Sequence, residues 1–361
     1  MIPICEPLIG EDELDNVVEA VKSGWVSSGG KFVKEFEDFF AEWVGKKYGV
    51  ATSSGTTALH LALAALNVGP EDEIIVPTLT FIATANVVRY CRATPVFVDA
   101  HLDYWCMDPA SISGAITKRT KGIIPVHLYG HPCNMDAILG IASKHNLWVV
   151  EDCAEAHGAK YKGNLVGSFG DISCFSFFGN KIMTTGEGGM CLTDDGKLAE
   201  KMRNLRDHGM DPTRKYWHNV IGFNYRMTNL QAALGVAQLE KVDYLIARRN
   251  QVAEWYDEIL EAETLDVGFV IVGSWAAPVC WIYTILVDED VRDRLMGELK
   301  DKGIETRPMF YPVHIMPPYE QDKRFPVAED LSACGISLPS GPTLTKKDVE
   351  YICSCIKEIL G

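Results

Sequence analysis

The sequence predicts an α/β fold in which a mostly parallel sheet carries helices on both faces. Short apolar runs rich in β-branched residues alternate with helical segments over the first two-thirds of the chain. Buried parallel strands have this continuous apolar character, and the intervening helices supply the crossovers. The length of 361 residues is large for one hydrophobic core, so two domains are expected.

The predicted strands of the first part are short and occur at regular intervals. They cover residues 48–51, 74–76, 95–98, 122–126, 147–150, 172–176 and 190–193. Helices are predicted at residues 57–66 and 135–145, from their length and apolar periodicity. Ligands of such sheets bind at the carboxyl ends of the strands, so the chemistry is expected in the loops that follow these runs.

The last third of the chain has a different pattern. A long helix is predicted from residue 228 to about 260, followed by a strand at 281–287 and helices at 291–302 and 346–360. We therefore predict a large domain over residues 1–245, with an N-terminal arm, and a smaller α+β domain over residues 246–361. The loop of residues 209–222 fits neither pattern and is predicted to be a mobile or interface loop.

Composition and charge exclude several classes of function. The formal net charge is −15, whereas nucleic-acid-binding proteins usually carry a basic face. No apolar stretch reaches the length of a membrane helix, and the N-terminus has no basic run or apolar segment typical of a secretory signal. The eleven cysteines form no paired CxxC motif, so we expect no metal site and a reducing, cytoplasmic location.

Two residues at predicted strand ends have the chemistry that pyridoxal 5'-phosphate (PLP) requires. Asp152 ends an apolar strand, and Lys181 lies in a Gly-rich turn after another. A PLP enzyme needs a lysine of lowered pKa to form a Schiff base and a carboxylate against the pyridinium nitrogen. An acid at a strand end more often caps a helix, so Asp152 alone would not carry this interpretation.

A third element could hold a phosphate group. The segment Thr52-Ser53-Ser54-Gly55-Thr56-Thr57 lies between a predicted strand and a predicted helix. Small side chains and backbone amides at a helix N-terminus bind anions, although a simple N-cap would use the same residues. The three elements together are far more specific than any one of them.

With these residues in view, the sequence resembles the sugar aminotransferases of the DegT/DnrJ/EryC/StrS family. The resemblance covers nearly the whole chain and implies the aspartate-aminotransferase-like (type I PLP) fold. Its carriers are Ser54-Gly55-Thr56-Thr57-Ala58-Leu59, Pro77-Thr78-Leu79-Thr80-Phe81, Glu151-Asp152-Cys153-Ala154-Glu155-Ala156-His157-Gly158, Ser176-Phe177-Phe178-Gly179-Asn180-Lys181, Gly186-Glu187-Gly188-Gly189 and Gly222-Phe223-Asn224-Tyr225-Arg226-Met227.

The resemblance implies roles for residues that bind the cofactor. Lys181 matches the Schiff-base lysine, Asp152 the partner of the pyridine nitrogen, and Phe81 the aromatic side chain that stacks on the ring. Glu155 matches a residue beside the ring hydroxyl, where many family members carry Gln. Residues that match the phosphate-binding groups are Thr56, Thr57, Ser176 and, from the neighbouring subunit, Asn224. The last of these implies a homodimer with shared active sites.

The resemblance also suggests contacts with the substrates. Arg226 is a candidate for the carboxylate of the amino donor, although a surface turn paired with local acids is the alternative. Trp25 is a substrate-site candidate or a core anchor of the N-terminal arm. Tyr311 and His314 lie in a Pro-rich segment, where a core or rim position competes with contact to the sugar nucleotide.

The activity implied by the resemblance is transfer of the amino group of L-glutamate to the 4-keto carbon of a nucleotide-linked 4-keto-6-deoxy sugar. Three segments resemble those of family members that act on a GDP-linked mannose derivative, and this resemblance implies a product for O-antigen or another surface glycan. They are Trp25-Val26-Ser27-Ser28, Ser176-Phe177-Phe178-Gly179-Asn180-Lys181 and Arg307-Pro308-Met309-Phe310-Tyr311-Pro312-Val313-His314. UDP- or dTDP-linked sugars are the alternative substrates. Relatives that remove a sugar hydroxyl replace the lysine with His, so Lys181 argues against that reaction. A non-catalytic sensor of PLP or sugar nucleotide is the alternative from another class.

Overall fold

The computed structural model describes residues 1–262 and 265–361. Its strands are β1 (Tyr48–Thr52), β2 (Glu73–Pro77), β3 (Thr94–Val98), β4 (Thr120–Ile123), β5 (Trp148–Asp152), β6 (Lys160–Tyr161), β7 (Asn164–Leu165), β8 (Ile172–Ser176), β9 (Gly189–Thr193), β10 (Ala276–Ala277), β11 (Thr284–Leu286), β12 (Arg307–Pro308) and β13 (Gly335–Ser337).

The helices mostly follow the strands in alternation. They are α1 (Glu11–Lys22), α2 (Lys31–Val44), α3 (Gly55–Ala65), α4 (Ala83–Tyr90), α5 (Pro109–Ile112), α6 (Met135–His145), α7 (Gly196–Arg206), α8 (Asn229–Glu240), α9 (Val242–Leu260), α10 (Glu289–Asp301), α11 (Pro326–Cys334) and α12 (Lys346–Leu360). No helix of the described residues has the length and apolar character needed to cross a membrane.

The central sheet has seven strands in the order β1-β9-β8-β5-β4-β2-β3. Strands β3, β2, β4, β5 and β8 pair in parallel, whereas β9 is antiparallel to both β8 and β1. The prediction of an α/β fold with a mostly parallel sheet is confirmed. Because β5 and β8 are parallel neighbours, the residues at their carboxyl ends lie at the same edge of the sheet.

A second, three-stranded sheet of order β11-β13-β12 lies in the C-terminal part. Apolar side chains of β11, β13, α9, α10 and α12 form a separate core cluster, which includes Tyr256, Ile285, Leu299, Ile336 and Ile352. The predicted domain boundary between residues 245 and 246 falls inside α9, and the division into two domains stays a prediction.

The prediction of one long helix over residues 228–260 was wrong. The structure has two helices, α8 and α9, that meet at Lys241, whose φ of −112° and ψ of 17° are not helical. The Lys241 ammonium pairs with the buried carboxylate of Glu13 in α1, a contact that sequence periodicity does not reveal. The predicted strand at 281–287 is also shorter and covers only Thr284–Leu286.

The N-terminal residues lie along the C-terminal part of the chain. Ile2 exchanges backbone hydrogen bonds with Gly303 and Glu305, at 2.7 Å and 2.9 Å. The carbonyl of Ile4 accepts from the amide of Ser340 at 2.8 Å, and its amide donates to the Glu305 carboxylate at 3.0 Å. This segment is therefore held along its backbone as an extra edge of the C-terminal part.

Two consecutive acids at the end of β5 point to opposite faces of the sheet, as strand geometry requires. The Glu151 carboxylate is buried and accepts hydrogen bonds from the amides of Gly167, Phe169 and Gly170, at 2.8, 2.8 and 2.6 Å. His127 Nε2 lies 3.2 Å from the same carboxylate. Burial raises the pKa of Glu151, but the hydrogen bonds from His127 and these amides outweigh burial and hold the pKa below its ordinary value.

Replacing Glu151 with Gln is expected to destabilise the protein by about 3 kcal/mol, because the neutral amide leaves buried donors poorly satisfied. A carboxylate whose folded-state pKa is lowered stabilises the fold above its unfolded pKa of 4.5. That contribution is lost as the pH falls below this value. The difference in thermal midpoint between wild type and variant should therefore be full at pH 7 and shrink in acid. Glu350→Gln, at an exposed helical position, is the control. Equal midpoints at pH 7 would contradict the prediction.

Candidate active site

A cavity of about 370 Å³ lies at the carboxyl ends of β5 and β8. Its walls come from the N-terminus of α3, the start of α4, the turn after β8 and the C-terminal part of the chain. The lining residues are Ser54, Gly55, Thr56, Leu59, Thr80, Phe81, Ala83, Thr84, Val126, Asp152, Ala154, Glu155, Ser176, Phe178, Asn180, Lys181, Glu187, Trp281, Arg307 and Phe310. The structure thus brings most of the predicted cofactor residues together at the predicted edge of the sheet.

Asp152 is the last residue of β5 and is buried. Its carboxylate is fixed from two sides, because Thr84 Oγ1 donates to Oδ2 at 2.8 Å and the Ala154 amide donates to Oδ1 at 3.1 Å. Burial raises the pKa of Asp152, while these hydrogen bonds and the charge of Lys181 act in the opposite direction. The carboxylate is oriented and ready to pair with a cation in the cavity.

Lys181 lies in the turn that follows β8. Its Nζ is 3.6 Å from the centroid of the Trp281 ring, so the amine rests on the indole face. Burial lowers the pKa of Lys181, while the charges of Glu155 and Asp152 oppose that shift. A lysine that gives up its proton more readily than in water is the nucleophile that Schiff-base chemistry needs.

Glu155 is a second buried carboxyl group beside Lys181. Its Oε2 accepts a hydrogen bond from the Tyr129 amide at 2.8 Å. Burial raises the pKa of Glu155 to about 7, against the opposing charge of Lys181. The side chain can therefore donate a hydrogen bond at neutral pH, as the Gln of many family members would.

One corner of the cavity is formed by the N-terminus of α3. Ser54 caps α3 and accepts from the Thr57 amide at 3.2 Å, while the first amides of the helix have no intrahelical partner. A Cβ on Gly55 would lie 2.7 Å from the Cβ of Ser176, so glycine allows the end of β8 to approach this helix closely. Thr56 lines the cavity, whereas the Thr57 hydroxyl donates within the capping box to the Ser54 carbonyl at 2.8 Å.

Phe81 stands at the cavity wall with 54% of its surface exposed. Its ring centroid lies 5.9 Å from that of Phe310, the nearest ring contact it makes in the described chain. An exposed aromatic face at the entrance of a cleft suits a planar ligand that would cover it.

The cavity lining does not include Asn224, Arg226 or Trp25, which were predicted to bind cofactor or substrate. Asn224 is exposed and pairs through its backbone with Asp207. Arg226 forms an ion pair with Asp207, and its Nε donates to Ser28 Oγ at 3.1 Å. Trp25 is exposed on a separate depression of the surface near the N-terminus of α2.

The two candidates in the Pro-rich segment differ in their surroundings. His314 is buried, with Nδ1 2.7 Å from Thr78 Oγ1 and Nε2 3.1 Å from the Glu329 carboxylate, so both ring nitrogens are engaged within the protein. This is the core position that competed with the substrate contact. Tyr311 is half exposed beside Phe310 and does not line the cavity.

Several cavity residues were missed at the level of sequence. Thr84 lies one turn of helix after Phe81, which is a usable local signal. Trp281, Arg307 and Phe310 come from the C-terminal part, and no local pattern shows that they reach the large sheet.

A nitrogen, an oxygen and a sulfur atom from His127, Glu151 and Cys153 lie within 4.8 Å of one another. The Glu151 carboxylate is already filled by three amides, and His127 Nδ1 accepts from the Cys133 amide at 3.0 Å. The cluster therefore stabilises the fold without needing an ion.

Comparison with known proteins agrees with this geometry. The sequence profile of the DegT/DnrJ/EryC1/StrS aminotransferase family matches residues 7–357. The chain is 48% identical to the GDP-perosamine synthase of Caulobacter vibrioides, over 99% of this chain and 98% of the relative. It is 47% identical to the GDP-perosamine synthase of Escherichia coli O157:H7, with the same coverage.

A solved structure supports the same relationship. The structure of DesV from S. venezuelae in complex with a ketimine intermediate superposes with a TM-score of 0.91 at 36% identity, over 96% of this chain and 93% of DesV. The sequence profile and the superposition both extend over nearly the full length of the chain, and the cavity geometry is consistent with them. The chain is an enzyme and belongs to the DegT/DnrJ/EryC1/StrS aminotransferase family.

Proposed function

We propose that the enzyme transfers the amino group of L-glutamate to the 4-keto carbon of GDP-4-keto-6-deoxy-D-mannose and so forms GDP-perosamine, a sugar for O-antigen or other surface glycans. The observation that carries the proposal is the meeting of Lys181 and Asp152 in one cavity at the carboxyl edge of the sheet. The names of the two relatives at 47–48% identity supply the acceptor.

The cavity residues fit PLP as the cofactor. A buried carboxylate with both oxygens oriented suits a protonated pyridine nitrogen, and the N-terminus of α3 with Ser54, Thr56 and Ser176 suits a phosphate. Phe81 would cover one face of the ring. When bound, PLP supplies the electron sink that lets an α-amino group leave one carbon skeleton and enter another.

The protein's own groups hold and move protons around that cofactor. Asp152 would keep the ring nitrogen protonated, with Thr84 and the Ala154 amide holding the carboxylate in place. Lys181, once free, would act as general base at the donor's α-carbon, because burial makes its neutral form accessible. Glu155, protonated near neutral pH, would donate to the ring hydroxyl oxygen.

The direct test is turnover with defined acceptors. Purified protein with PLP and L-glutamate is incubated separately with the GDP-, UDP- and dTDP-linked 4-keto-6-deoxy sugars, and amino sugar nucleotides are detected by mass. We expect product with the GDP-linked mannose derivative. Lys181→Ala is the control and is expected to give no product while still binding sugar nucleotide. Product only with a UDP- or dTDP-linked sugar would overturn the acceptor, and full turnover by Lys181→Ala would overturn the mechanism.

Arg307 is proposed to bind an anionic group of a substrate. It is, with Lys181, one of two cationic side chains lining the cavity in the described chain, and about half of its side chain is exposed. Glu305 holds it through one contact, Nη2 to Oε1 at 3.2 Å, which leaves other guanidinium N–H groups for a ligand. The two anions that enter this enzyme are the donor's carboxylate and the diphosphate of the sugar nucleotide.

Measuring the two half-reactions separately shows which of the two anions Arg307 binds. Arg307→Gln is expected to weaken binding of one substrate by about 10- to 100-fold, the size of a lost charge-assisted hydrogen bond. If the half-saturating concentration of L-glutamate rises in the donor half-reaction, measured by cofactor absorbance, Arg307 binds the donor's carboxylate. A defect confined to the sugar half-reaction, followed by mass, assigns the diphosphate. Arg294→Gln, on an exposed helix face, is the control. Wild-type behaviour in both half-reactions would contradict the assignment.

A homodimer with shared active sites completes the proposal. Asn224 and Arg226 lie outside this chain's own cavity, which supports a role toward a neighbouring subunit. The loop of residues 209–222, predicted to be a mobile or interface loop, exposes large apolar side chains, with Tyr216 78% and Ile221 93% exposed. We expect twice the chain mass in sedimentation equilibrium, and a monomer at micromolar concentration would contradict this.

The eleven free thiols support action in a reducing cytoplasm.

A further inference from the structure

The guanidinium of Arg249 is buried in the centre of the molecule. It belongs to α9, its exposed fraction is 0%, and it forms no ion pair with a carboxylate among residues 1–262 and 265–361. A buried charge without a counter-ion is costly unless its N–H groups are hydrogen-bonded. Its surroundings therefore indicate what this side chain does.

The acceptors of Arg249 are concentrated on the turn that carries the active-site lysine. Nη2 donates to the carbonyls of Lys181 and Asn180, at 2.8 Å and 3.2 Å, and to Cys5 Sγ at 3.2 Å. Nη1 donates to the carbonyl of Trp281 at 2.7 Å. One planar group thus ties the lysine turn to the residue whose ring lies under the lysine amine.

The same turn is held by the indole of Trp281. Its Nε1 donates to the Asn180 carbonyl at 2.9 Å, while its ring face lies 3.6 Å from Lys181 Nζ. Trp281 therefore contacts both the turn that carries Lys181 and the amine of that lysine. Arg249 in turn binds the backbone carbonyls of Lys181 and Trp281. A lysine cannot replace this arrangement, because its single ammonium lacks the planar fork of five donors.

We infer that Arg249 is a positioning residue for Lys181. Its guanidinium sets the backbone of the lysine and so places the amine between the Trp281 ring and the carboxylates of Asp152 and Glu155. The inference rests on the role proposed for Lys181. It extends that role to a side chain outside the cavity, since Arg249 does not line it.

Electrostatics act in the same sense as geometry. Burial is the main cause that lowers the pKa of Lys181, Glu155 and Asp152 oppose it, and the fixed positive charge of Arg249 lowers it further. Removing that charge should let the lysine hold its proton to higher pH. A residue that only packed α9 against the sheet would not have this effect.

The test compares Arg249→Gln and Arg249→Lys with Arg248→Gln. Arg248 is the matched control, since its guanidinium also binds backbone carbonyls, those of Pro342 and Leu344, at 3.2 Å and 2.8 Å. In the cofactor-free protein, the pH dependence of Lys181 acetylation by acetic anhydride, read by peptide mass, reports the protonation of the amine. In the PLP-loaded protein, kcat and KM are measured for L-glutamate.

For Arg249→Gln we expect the midpoint of Lys181 acetylation to rise by about one pH unit, as for loss of a nearby like charge. We expect kcat to fall about 100-fold through misplacement of the amine, with a smaller change in KM. Arg249→Lys keeps the charge but loses the fork, so its kcat should fall while its midpoint stays near wild type. Arg248→Gln should match wild type in both.

An Arg249→Gln protein that shares the midpoint and kcat of Arg248→Gln would overturn the inference. If Arg249→Gln does not fold, a folded Arg249→Lys protein with wild-type kcat would overturn it equally. The acetylation measurement needs no sugar nucleotide, so it reports on Arg249 even if the proposed acceptor is wrong. Failure of the wild-type protein to form any amino sugar would instead count against the proposed function alone.

Discussion

The site depends on the alternation of side chains at the end of one buried strand. Glu151 and Asp152 are consecutive, so they leave β5 on opposite faces of the sheet. Glu151 turns into the protein, where its carboxylate is hydrogen-bonded by the amides of a tight turn and by His127. Asp152 turns into the cavity, where Thr84 and the Ala154 amide orient its carboxylate. One carboxylate stabilises the fold, and the fixed strand end presents the other to the cavity.

Burial also determines how protons are distributed in the cleft. It raises the pKa values of Asp152 and Glu155 and lowers that of Lys181. These shifts bring the acids and the amine closer in proton affinity than the same groups are in water. A proton then passes between cavity groups at a lower cost in free energy than between the same groups in water, which favours acid–base catalysis.

Features of the site could be predicted from the sequence where neighbouring residues determine them, and not where distant parts of the chain do. Lys181, Asp152 and Ser176 lie at the ends of parallel strands, where position along the chain decides position at the sheet edge. Thr57 resembles its neighbour Thr56 in sequence, but a capping box takes its hydroxyl, and only the folded turn shows this. Trp281 and Arg307 reach the cleft by packing across the molecule, which no residue spacing encodes. The break between α8 and α9 likewise falls at Lys241, which pairs with a distant acid in α1.

The position of the N-terminal segment has a consequence for how the enzyme becomes active during synthesis. Ile2 and Ile4 bind residues 303, 305 and 340, and Cys5 lies against the lysine turn through its thiol. These contacts join residues that are far apart along the chain, since Ile4 and Glu305 are separated by 301 positions. Contacts of such sequence separation form late, and large chains fold through intermediates before they form. The lysine turn therefore reaches its final surroundings only after residues 303–340 have been synthesised, so a nascent chain can have its large sheet and still lack a finished catalytic centre.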